Sequence, residues 1–451
     1  MELYFLDYYS SFFKHDFIFN LYNFGIGFQN CIVYNISGGE HCMIKRTILK
    51  EIELSVKSRP VTLITGARQV GKSTLAQLFM KDGFSYVSLD NSRERELAKK
   101  DPNMFLELHP WPLIIDEVQR APELFEAIEE IVNREKMSNP RNYGMFIITG
   151  SQRYKLMNNV TESMAGRVSI IHMVPLSRSE ILDREERVFD FNLKEISKRA
   201  LANPLSVKSL FKDIVHGYYP ELYSNELLTS EKFYSDYVES YIERDVSDML
   251  NVKDKFAFRR FMELMASLTG EELVYDNISK IIGVDNKTIN AWISFLIAGD
   301  IIHLLEPYSE FSITKRISKR PKVFFTDTGL ASYLVKINSA ETLESSFLGG
   351  RFVETYIINE LRKSYFNNGK NPNFYYYRDN NLNEIDLIII EDGKMHRIEC
   401  KFGIKFNMGS VKGFKQVEKT NYKLSLSGII CNTDAIYPLD ENIYVIPIAG
   451  I

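Results

Sequence analysis

Residues 66–73 read GARQVGKS, which matches the pattern G-x-x-x-x-G-K-[ST] of a phosphate-binding loop. The loop stands after the strand-like run VTLIT and before the helix-like run KSTLAQLF, which is the context that such a loop needs. Backbone N–H groups of the loop and the helix N-terminus would attract phosphate, so the pattern predicts a nucleotide site. The predicted contacts are Gly66, Ala67, Arg68, Gln69, Val70, Gly71, Lys72, Ser73 and Thr74.

A magnesium site is predicted beside this loop. Lys72 would reach the terminal phosphates of ATP, and the Ser73 hydroxyl would bind Mg²⁺. Asp116 ends the apolar run of LIIDE and would hold Mg²⁺ through water, while Glu117 would polarise the attacking water. A solvated carboxylate at a strand end is the alternative for Glu117. The strand-like run SYVSLD lies between the loop and Asp116, and with the adjacent glutamate it indicates a P-loop NTPase that activates water with its own glutamate.

Three further polar residues accompany the next two predicted strands. Thr149 and Ser151 end the run FIITGS, where either could sense the γ-phosphate of a nucleotide. Arg167 stands in ESMAGRV at the start of a strand. It could reach phosphate in its own chain or in a neighbouring subunit of a homo-oligomer. Equally, it could form a salt bridge with Glu162 or another acid.

The stretch from Glu384 to Lys401, EIDLIIIEDGKMHRIECK, is the second candidate site. Asp392-Gly393 is the favoured chemistry of a two-residue hairpin turn, which sets the pairing of the flanking strands. Glu384 then faces Lys401, and Asp386 faces Glu399. All four side chains lie on one face of the hairpin, and directly opposed Cβ atoms are only about 5 Å apart.

The opposed carboxylates of Asp386 and Glu399 predict a cation site. Like charges at that distance are unfavourable, and Mg²⁺ held between the two acids would resolve the conflict. Lys401 would then position or activate water, or steady the charge on a phosphate. The alternatives are a raised pKa on one acid or a β-bulge that separates the two.

A parallel sheet must position the first site. Between residues 61 and 174, strand-like apolar runs alternate with helix-like stretches, which favours strands covered by helices on both faces. The predicted strands are 61–66, 85–90, 112–118, 145–151 and 168–174, and the predicted helices include 72–81, 92–100 and 123–135. Residues 176–250 are predicted to be helical.

Residues 277–300 predict two helices of a winged-helix module. Gly283 would cap the first helix, and residues 287–297 would form the second with one apolar face. A wing would touch DNA phosphates, or the module would serve protein contacts or domain packing. The second helix carries no arginine, so sequence-specific base reading is not predicted. The basic residues of the predicted wing are Lys315, Arg316, Lys319, Arg320 and Lys322.

From about Gly349 the pattern changes again. Residues 350–363 predict a helix and 374–378 a strand, and the hairpin of the second site follows. A helix is predicted near 408–419, followed by strands at 423–431 and 442–448.

The motifs GARQVGKST, LIIDEVQRAP, IITGSQ, ESMAGRV followed by PLSRSE, and YIERDV resemble those of a large family of bacterial and archaeal AAA-type ATPases. In that family the ATPase core precedes a winged-helix module and a C-terminal domain that resembles restriction endonucleases. The resemblance extends from about Met43 to the C-terminus. It implies ATP binding and hydrolysis but no particular substrate. It also makes Arg244, in YIERDV, a candidate arginine of the lid.

The second site shares in this resemblance. Restriction-endonuclease-like domains carry an acid on one strand and E-x-K on the next, and Asp386, Glu399 and Lys401 match that pattern. Their preceding helix often carries another acid, which Glu354 supplies on an otherwise apolar stripe. The resemblance implies a metal site of Glu354, Asp386 and Glu399, in a domain that either cuts nucleic acid or only binds.

Composition limits the classes of function. The net charge of −4 gives no overall attraction to nucleic acid, so DNA contact would need a local patch. The four cysteines have no zinc-ligand spacing and fit a reducing cytoplasm. No apolar run approaches the about 18 residues that a membrane helix needs.

The predicted fold class is α/β, with a P-loop NTPase sheet and a helical lid followed by a winged helix and a restriction-endonuclease-like α/β domain. We expect synthesis to start normally at Met43, which would make residues 1–42 an aromatic-rich leader. The predicted function is an ATP-driven switch or motor, with ATP and Mg²⁺, acting on DNA. A protein-interaction switch with an inactive nuclease-like domain and an ATP-gated nuclease are the rivals. The predicted segments are a core at 43–180, a lid at 181–255, a winged helix at 256–335 and the nuclease-like domain at 336–451.

Overall fold

A five-stranded parallel sheet forms the core of the N-terminal half. The computed structural model describes residues 31–36, 39–151, 164–241, 255–309, 320–403 and 406–451. A short antiparallel hairpin, β1 (Cys31–Ile36) with β2 (Gly39–Ile44), precedes this sheet. All five strands were predicted from the apolar runs. They are β3 (Val61–Thr65), β4 (Ser85–Ser88), β5 (Leu113–Asp116), β6 (Phe146–Gly150) and β7 (Val168–His172).

The strand order of this sheet is β4-β5-β6-β3-β7, and every neighbouring pair is parallel. Both faces are buried: Leu63 and Ile115 enter one hydrophobic core, and Ile64 and Ile114 enter the other. That explains the uninterrupted apolar runs of the sequence. The covering helices are α1 (Leu49–Ser58), α2 (Lys72–Gln77), α3 (Ser92–Lys100), α4 (Pro102–Leu108) and α5 (Leu124–Ser138), with 3₁₀ turns at Leu78–Asp82 and Val118–Arg120.

Short helices follow the sheet, as the sequence predicted. They surround a cluster of buried aromatic rings that includes Tyr219, Phe233 and Tyr237. Of the helices that cover the parallel sheet, α1 and α4 were not predicted from the sequence. The helices of this segment are α6 (Arg178–Ile181), α7 (Leu193–Ala202), α8 (Val207–His216), α9 (Glu221–Ser224) and α10 (Ser230–Tyr241).

The two helices predicted in the middle segment are present. Gly283 ends the first in the left-handed region, at φ 83°, and Asp285 caps the second by accepting the Thr288 N–H. The predicted apolar face is buried around Trp292. The winged-helix assignment itself stays a prediction. The elements here are α11 (Lys255–Ser267), α12 (Tyr275–Ile282), α13 (Asn286–Ala298), β8 (Ile302–Pro307) and β9 (Lys322–Phe325).

A mixed sheet joins the middle and C-terminal segments across the predicted boundary at residue 335. Strand β8 pairs in parallel with the first strand of the C-terminal segment, and the order is β15-β16-β14-β12-β11-β10-β8-β9 with β13 beside β12. Its C-terminal strands are β10 (Phe374–Arg378), β11 (Glu384–Glu391), β12 (Lys394–Cys400), β13 (Lys423–Leu424), β14 (Ser427–Cys431), β15 (Tyr437–Asp440) and β16 (Ile443–Pro447). The helices are α14 (Thr328–Leu334), α15 (Ala340–Ser345) and α16 (Gly349–Phe366), with 3₁₀ turns at Met408–Val417 and Ile448–Gly450.

The hairpin of β11 and β12 has the predicted two-residue turn. Asp392 and Gly393 both have positive φ, 50° and 72°, and Glu391 pairs with Lys394. The pairing continues in the predicted register as far as Leu387 with Ile398. Beyond that point the pairing of β11 with β10 shifts by one residue, which is a β-bulge around Asp386 and Leu387. This bulge lies in the pairing of β11 with β10, and the Asp386 and Glu399 side chains still form a hydrogen bond with each other, so the alternative of a bulge that separates these two acids is wrong.

Helix α16 ties the two halves of the structure together. The Arg178 N–H donates to Glu360 at 2.8 Å, and the Lys363 ammonium donates to the Leu176 carbonyl at 2.9 Å. Glu360 and Lys363 are both buried, and they lie three positions apart on one face of α16.

In the described part of the chain, no helix is long and apolar enough to cross a membrane.

Several predicted residues lie outside the described residues. They are residues 1–30, 37 and 38 of the proposed leader, together with Glu162, Arg244, Lys315, Arg316 and Lys319.

Candidate functional site

The phosphate loop lies between β3 and α2. Gly66 has φ 145°, and a Cβ at this position would collide with the Met173 carbonyl oxygen. Gly71 has φ 93° and is the residue before the first turn of α2. Gly66 is therefore required by its positive φ and by the close approach of Met173, and Gly71 is required by its left-handed backbone.

Lys72 is buried inside the loop. Its ammonium donates to the carbonyl oxygens of Gly66 at 3.0 Å and Ala67 at 2.6 Å. Burial lowers the pKa of Lys72 to about 8, against the opposing effect of Glu117 and other nearby acids. The lysine is thus held where a phosphate cradled by the loop would meet it.

Asp116 receives hydroxyl donors from three different elements. The Ser73 hydroxyl donates to Oδ1 at 2.7 Å, the Tyr86 hydroxyl donates to Oδ2 at 3.0 Å, and the Thr149 hydroxyl also donates to Oδ1. The carboxylate is buried, so these donors stand in for water. Ser73 gives its proton to Asp116 and keeps its lone pairs for a cation. The donor set therefore fits the predicted magnesium site.

Glu117 follows Asp116 in the left-handed region, at φ 59°. Its N–H donates to the Thr149 hydroxyl at 3.2 Å, and its carboxylate accepts a hydrogen bond from the Gln119 amide. The same amide group lies 3.3 Å from the Ser151 hydroxyl. Thr149 and Ser151, predicted as γ-phosphate sensors, therefore contact the two acids and Gln119 in this structure.

A cavity of about 600 Å³ opens beside the loop. The loop residues 68–74 and Glu117 line it, together with Ile44, Pro220 and Tyr237. This size suits a nucleotide, since ligand pockets are typically about 300–1,000 Å³.

Arg46 connects the phosphate loop to the segment that follows β7. Its guanidinium donates to the carbonyl oxygens of Val70 at 2.8 Å and Val174 at 2.6 Å, and it forms an ion pair with Glu180 at 3.0 Å. Sequence analysis missed this arginine, because no local motif links it to residues so distant in the chain.

Arg167 does not contact the phosphate loop. It precedes β7, and Val61 and Val168 are paired at the start of the parallel strands β3 and β7, whereas the loop follows the end of β3. Arg167 therefore lies at the N-terminal ends of the strands, whereas the loop lies at their C-terminal ends. It pairs there with Glu129 at 3.1 Å and donates to Asn133 at 2.6 Å. Within this chain Arg167 therefore forms a salt bridge with an acid, which was the alternative to a phosphate contact. A contact with a neighbouring subunit stays a prediction.

The second candidate site is a buried group of acids and lysines. Lys401 forms ion pairs with Asp386 at 3.2 Å and with Glu399 at 2.7 Å. The Cys400 N–H also donates to Asp386 at 2.8 Å. The ammonium of Lys401 thus contacts both of the carboxylates that the predicted Mg²⁺ was to bind.

The predicted ion pair of Glu384 with Lys401 is wrong. Glu384 pairs with Lys322 at 2.6 Å, and Lys322 also pairs with Glu354 at 2.9 Å. Lys322 is only 3% exposed, so its assignment to a DNA-contacting wing is wrong as well. The bulge in β11 and the antiparallel pairing of β9 with β8 bring these side chains together.

The acids of this group titrate in opposite directions. Burial, and to a smaller extent the charge of Asp386, raises the pKa of Glu399 well above its usual range. Burial also raises the pKa of Glu354 to about 7. Burial also opposes ionisation of Asp386, but Lys401 and Lys322 outweigh it and hold its pKa below the usual value. A raised pKa on one acid was the other alternative that the sequence left open.

The described residues contain no group of three or more His, Cys, Asp and Glu side chains arranged to hold a metal ion. Glu354, Asp386 and Glu399 face lysine ammonium groups instead. The predicted metal site is not formed in this arrangement, and its existence in another arrangement stays a prediction.

Three parts of the chain match known families. Residues 58–182 match the family described as AAA domain. This part of the chain is therefore similar to AAA domains. Residues 207–341 and 349–451 match two families described as domains of unknown function, DUF8612 and DUF4143.

Whole-chain relatives are uncharacterized proteins. One from Mycobacterium tuberculosis is 23% identical over 409 residues, covering 90% of this chain and 84% of the relative, and one from Mycobacterium bovis matches with the same figures. Among solved structures, RuvB of Thermotoga maritima covers 57% of this chain and 88% of its own, with 15% identity and a TM-score of 0.27. AMPPCP-bound DnaA of Aquifex aeolicus covers 55% and 84%, with 17% identity and a TM-score of 0.23.

The lowered pKa of Lys72 predicts that nucleotide binding weakens at alkaline pH. Phosphate attracts the charged ammonium, and Lys72 loses its proton as the pH rises through about 8. In magnesium-free buffer the Kd for ATP should rise above that pH, approaching tenfold per pH unit. Fluorescence titration with a labelled ATP analogue measures this slope. Lys72→Arg is the control because its charge persists, and equal slopes in the two proteins would contradict the assignment.

Proposed function

We propose that this protein binds and hydrolyses Mg²⁺·ATP at the phosphate loop, and that its nucleotide state controls the segments that follow the core. The proposal rests on the way Lys72, Ser73, Asp116 and Glu117 come together at the C-terminal ends of the parallel strands. The AAA-type domain at residues 58–182 supports ATP binding.

Each residue of the site has a separate role in binding phosphate or Mg²⁺. Gly66 and Gly71 allow the loop to surround phosphate, and Lys72 adds a positive charge inside it. Ser73 and Asp116 would hold Mg²⁺, directly and through water. A metal held there would supply positive charge to offset the negative charge that develops on the phosphate.

Glu117 is the proposed water-activating residue. It lines the cavity, but its carboxylate accepts a hydrogen bond from Gln119. A carboxylate needs a free lone pair directed at the water that it polarises. An ionised carboxylate has about four lone-pair sites, so the bond from Gln119 to one oxygen leaves Glu117 able to polarise a water.

A chain of buried contacts supports coupling between the nucleotide and the C-terminal segment. Arg46 joins the loop carbonyl of Val70 to Glu180, and Glu180 accepts the Ser177 N–H at 3.0 Å. The next residue, Arg178, donates its N–H to Glu360 of α16. A movement of the loop on nucleotide binding would therefore displace the segment to which α16 is attached.

Two substitutions test the ATPase proposal. Lys72→Ala should abolish nucleotide binding, because it removes the positive charge inside the loop. Glu117→Gln should keep binding and lose turnover by about a hundredfold or more, because the water is no longer polarised. Equilibrium binding of a labelled ATP analogue and phosphate release measure the two effects. Turnover of Glu117→Gln equal to that of the wild type would reject the role of Glu117.

We propose DNA as the macromolecular partner, contacted through the basic stretch before β9. Arg320 is exposed at its end, and the stretch is the densest basic cluster in the sequence. Exposed lysine and arginine side chains bind DNA phosphates with release of counterions, so affinity must fall with salt.

Charge reversal tests the DNA contact. Lys315→Glu, Arg316→Glu and Lys319→Glu together should lower the slope of log affinity against log salt by about three, one for each phosphate contact. Fluorescence anisotropy with duplex DNA measures the slope. Reversal of the exposed Lys57, Lys81 and Lys99 is the matched control. Absence of binding at low salt, or unchanged binding by the triple variant, would favour the protein-interaction switch.

For the C-terminal segment we propose a restriction-endonuclease-like architecture that binds without cutting. Lysine ammonium groups neutralise its acids, and the acids do not form a metal-ligating group. We expect no Mg²⁺-dependent cleavage of single- or double-stranded DNA or RNA, with or without ATP. Gel assays should show the wild type and Lys401→Ala alike. Cleavage that disappears in Lys401→Ala would overturn this proposal in favour of an ATP-gated nuclease.

A further inference from the structure

Tyr86 is the partner of Asp116 that no motif indicates. It lies on the edge strand β4, opposite Ile114 of β5, while Asp116 itself is opposite Ser88. Its hydroxyl reaches Asp116 Oδ2 at 3.0 Å, on the other side of the carboxylate from the oxygen that accepts the Ser73 hydroxyl.

We propose that Tyr86 is a positioning residue for magnesium binding: it fixes the rotation of the Asp116 carboxylate so that Oδ1 stays directed at Ser73. This inference rests on the proposed function, because it concerns how the same site handles its metal. Tyr86 would not touch the metal or the nucleotide. Its effect would pass entirely through Asp116.

The torsion that orients a carboxylate has broad minima, so hydrogen-bond partners decide its angle. Two of the three partners of Asp116 bind the same oxygen, Oδ1. Tyr86 alone among the observed hydroxyl donors holds Oδ2, and it therefore opposes rotation about the Cβ–Cγ bond. Without it, a nearly dry oxygen would lack its hydroxyl donor.

Tyr86 is also a dependable donor. A phenol hydroxyl ordinarily keeps its proton across the physiological range. Its ring is half-buried against the hydrophobic core under the sheet. A purely structural role would reside in that ring, whereas the proposed role resides in the hydroxyl.

Tyr86→Phe separates the two roles because it keeps the ring and removes the hydroxyl. In EDTA, the variant should bind a non-hydrolysable ATP analogue as the wild type does. The Mg²⁺ concentration that gives half-maximal enhancement of this binding should rise about fivefold to tenfold, in keeping with the net contribution of one typical intramolecular hydrogen bond. The same shift should appear in the Mg²⁺ dependence of ATP hydrolysis, and saturating Mg²⁺ should restore the wild-type rate.

Tyr365→Phe is the matched control. Tyr365 donates to the carboxylate of Glu391 at 3.1 Å, far along the chain in α16, so the substitution removes the same kind of bond elsewhere. It should leave the Mg²⁺ dependence unchanged. In an Asp116→Asn background, Tyr86→Phe should add no further shift, because its effect passes through the carboxylate.

Each outcome decides the matter. A raised Mg²⁺ requirement in Tyr86→Phe, absent in Tyr365→Phe and rescued by Mg²⁺, supports the inference. An unchanged requirement, or a lower rate that Mg²⁺ does not restore, overturns it and leaves the ATPase proposal intact. Failure of the wild type to bind nucleotide would overturn both.

Discussion

A buried charge without a partner is costly, and much of this structure depends on supplying those partners. Arg46 and Glu180 pair behind the phosphate loop, and Glu360 and Lys363 pair on α16 at 2.7 Å. The acids of the C-terminal sheet are matched by lysines. Such pairs add little net stability compared with apolar packing, but breaking one leaves an uncompensated charge. They therefore restrict which segments can pack together and in what alignment.

The partners come from different segments. Lys322 was predicted to belong to the wing, but it begins β9 and neutralises acids of α16 and β11. Arg178 follows the parallel sheet, yet its backbone contacts α16. The segments that sequence patterns divide into core, lid, wing and nuclease-like domain thus share charges, as they share one hydrophobic core.

The features that sequence predicted well are those whose information is local. The spacing of GARQVGKS and its flanking strand and helix define the loop, and Asp392-Gly393 defines the hairpin turn and its register. The partner of Lys322 could not be predicted in this way, because Glu354 is 32 positions away and the contact depends on tertiary packing. Arg167 was misplaced for a different reason: the start and the end of a parallel strand lie at opposite edges of the sheet, and only the end lies near the loop. The bulge at Asp386 shows the limit of register arguments, since one inserted residue re-aims the side chains beyond it.

Helix α16 has a consequence for how this protein can be divided. An 18-residue helix is about 27 Å long, and this one carries Glu354 near its start and the contacts with the AAA-type domain near its end. A fragment that ends before α16 would lose the acceptor of the Arg178 N–H and the donor to the Leu176 carbonyl. It would also uncover the apolar face that Phe352, Ile358 and Leu361 fill. The chain has several recognisable modules, but through α16 these modules depend on one another for their packing.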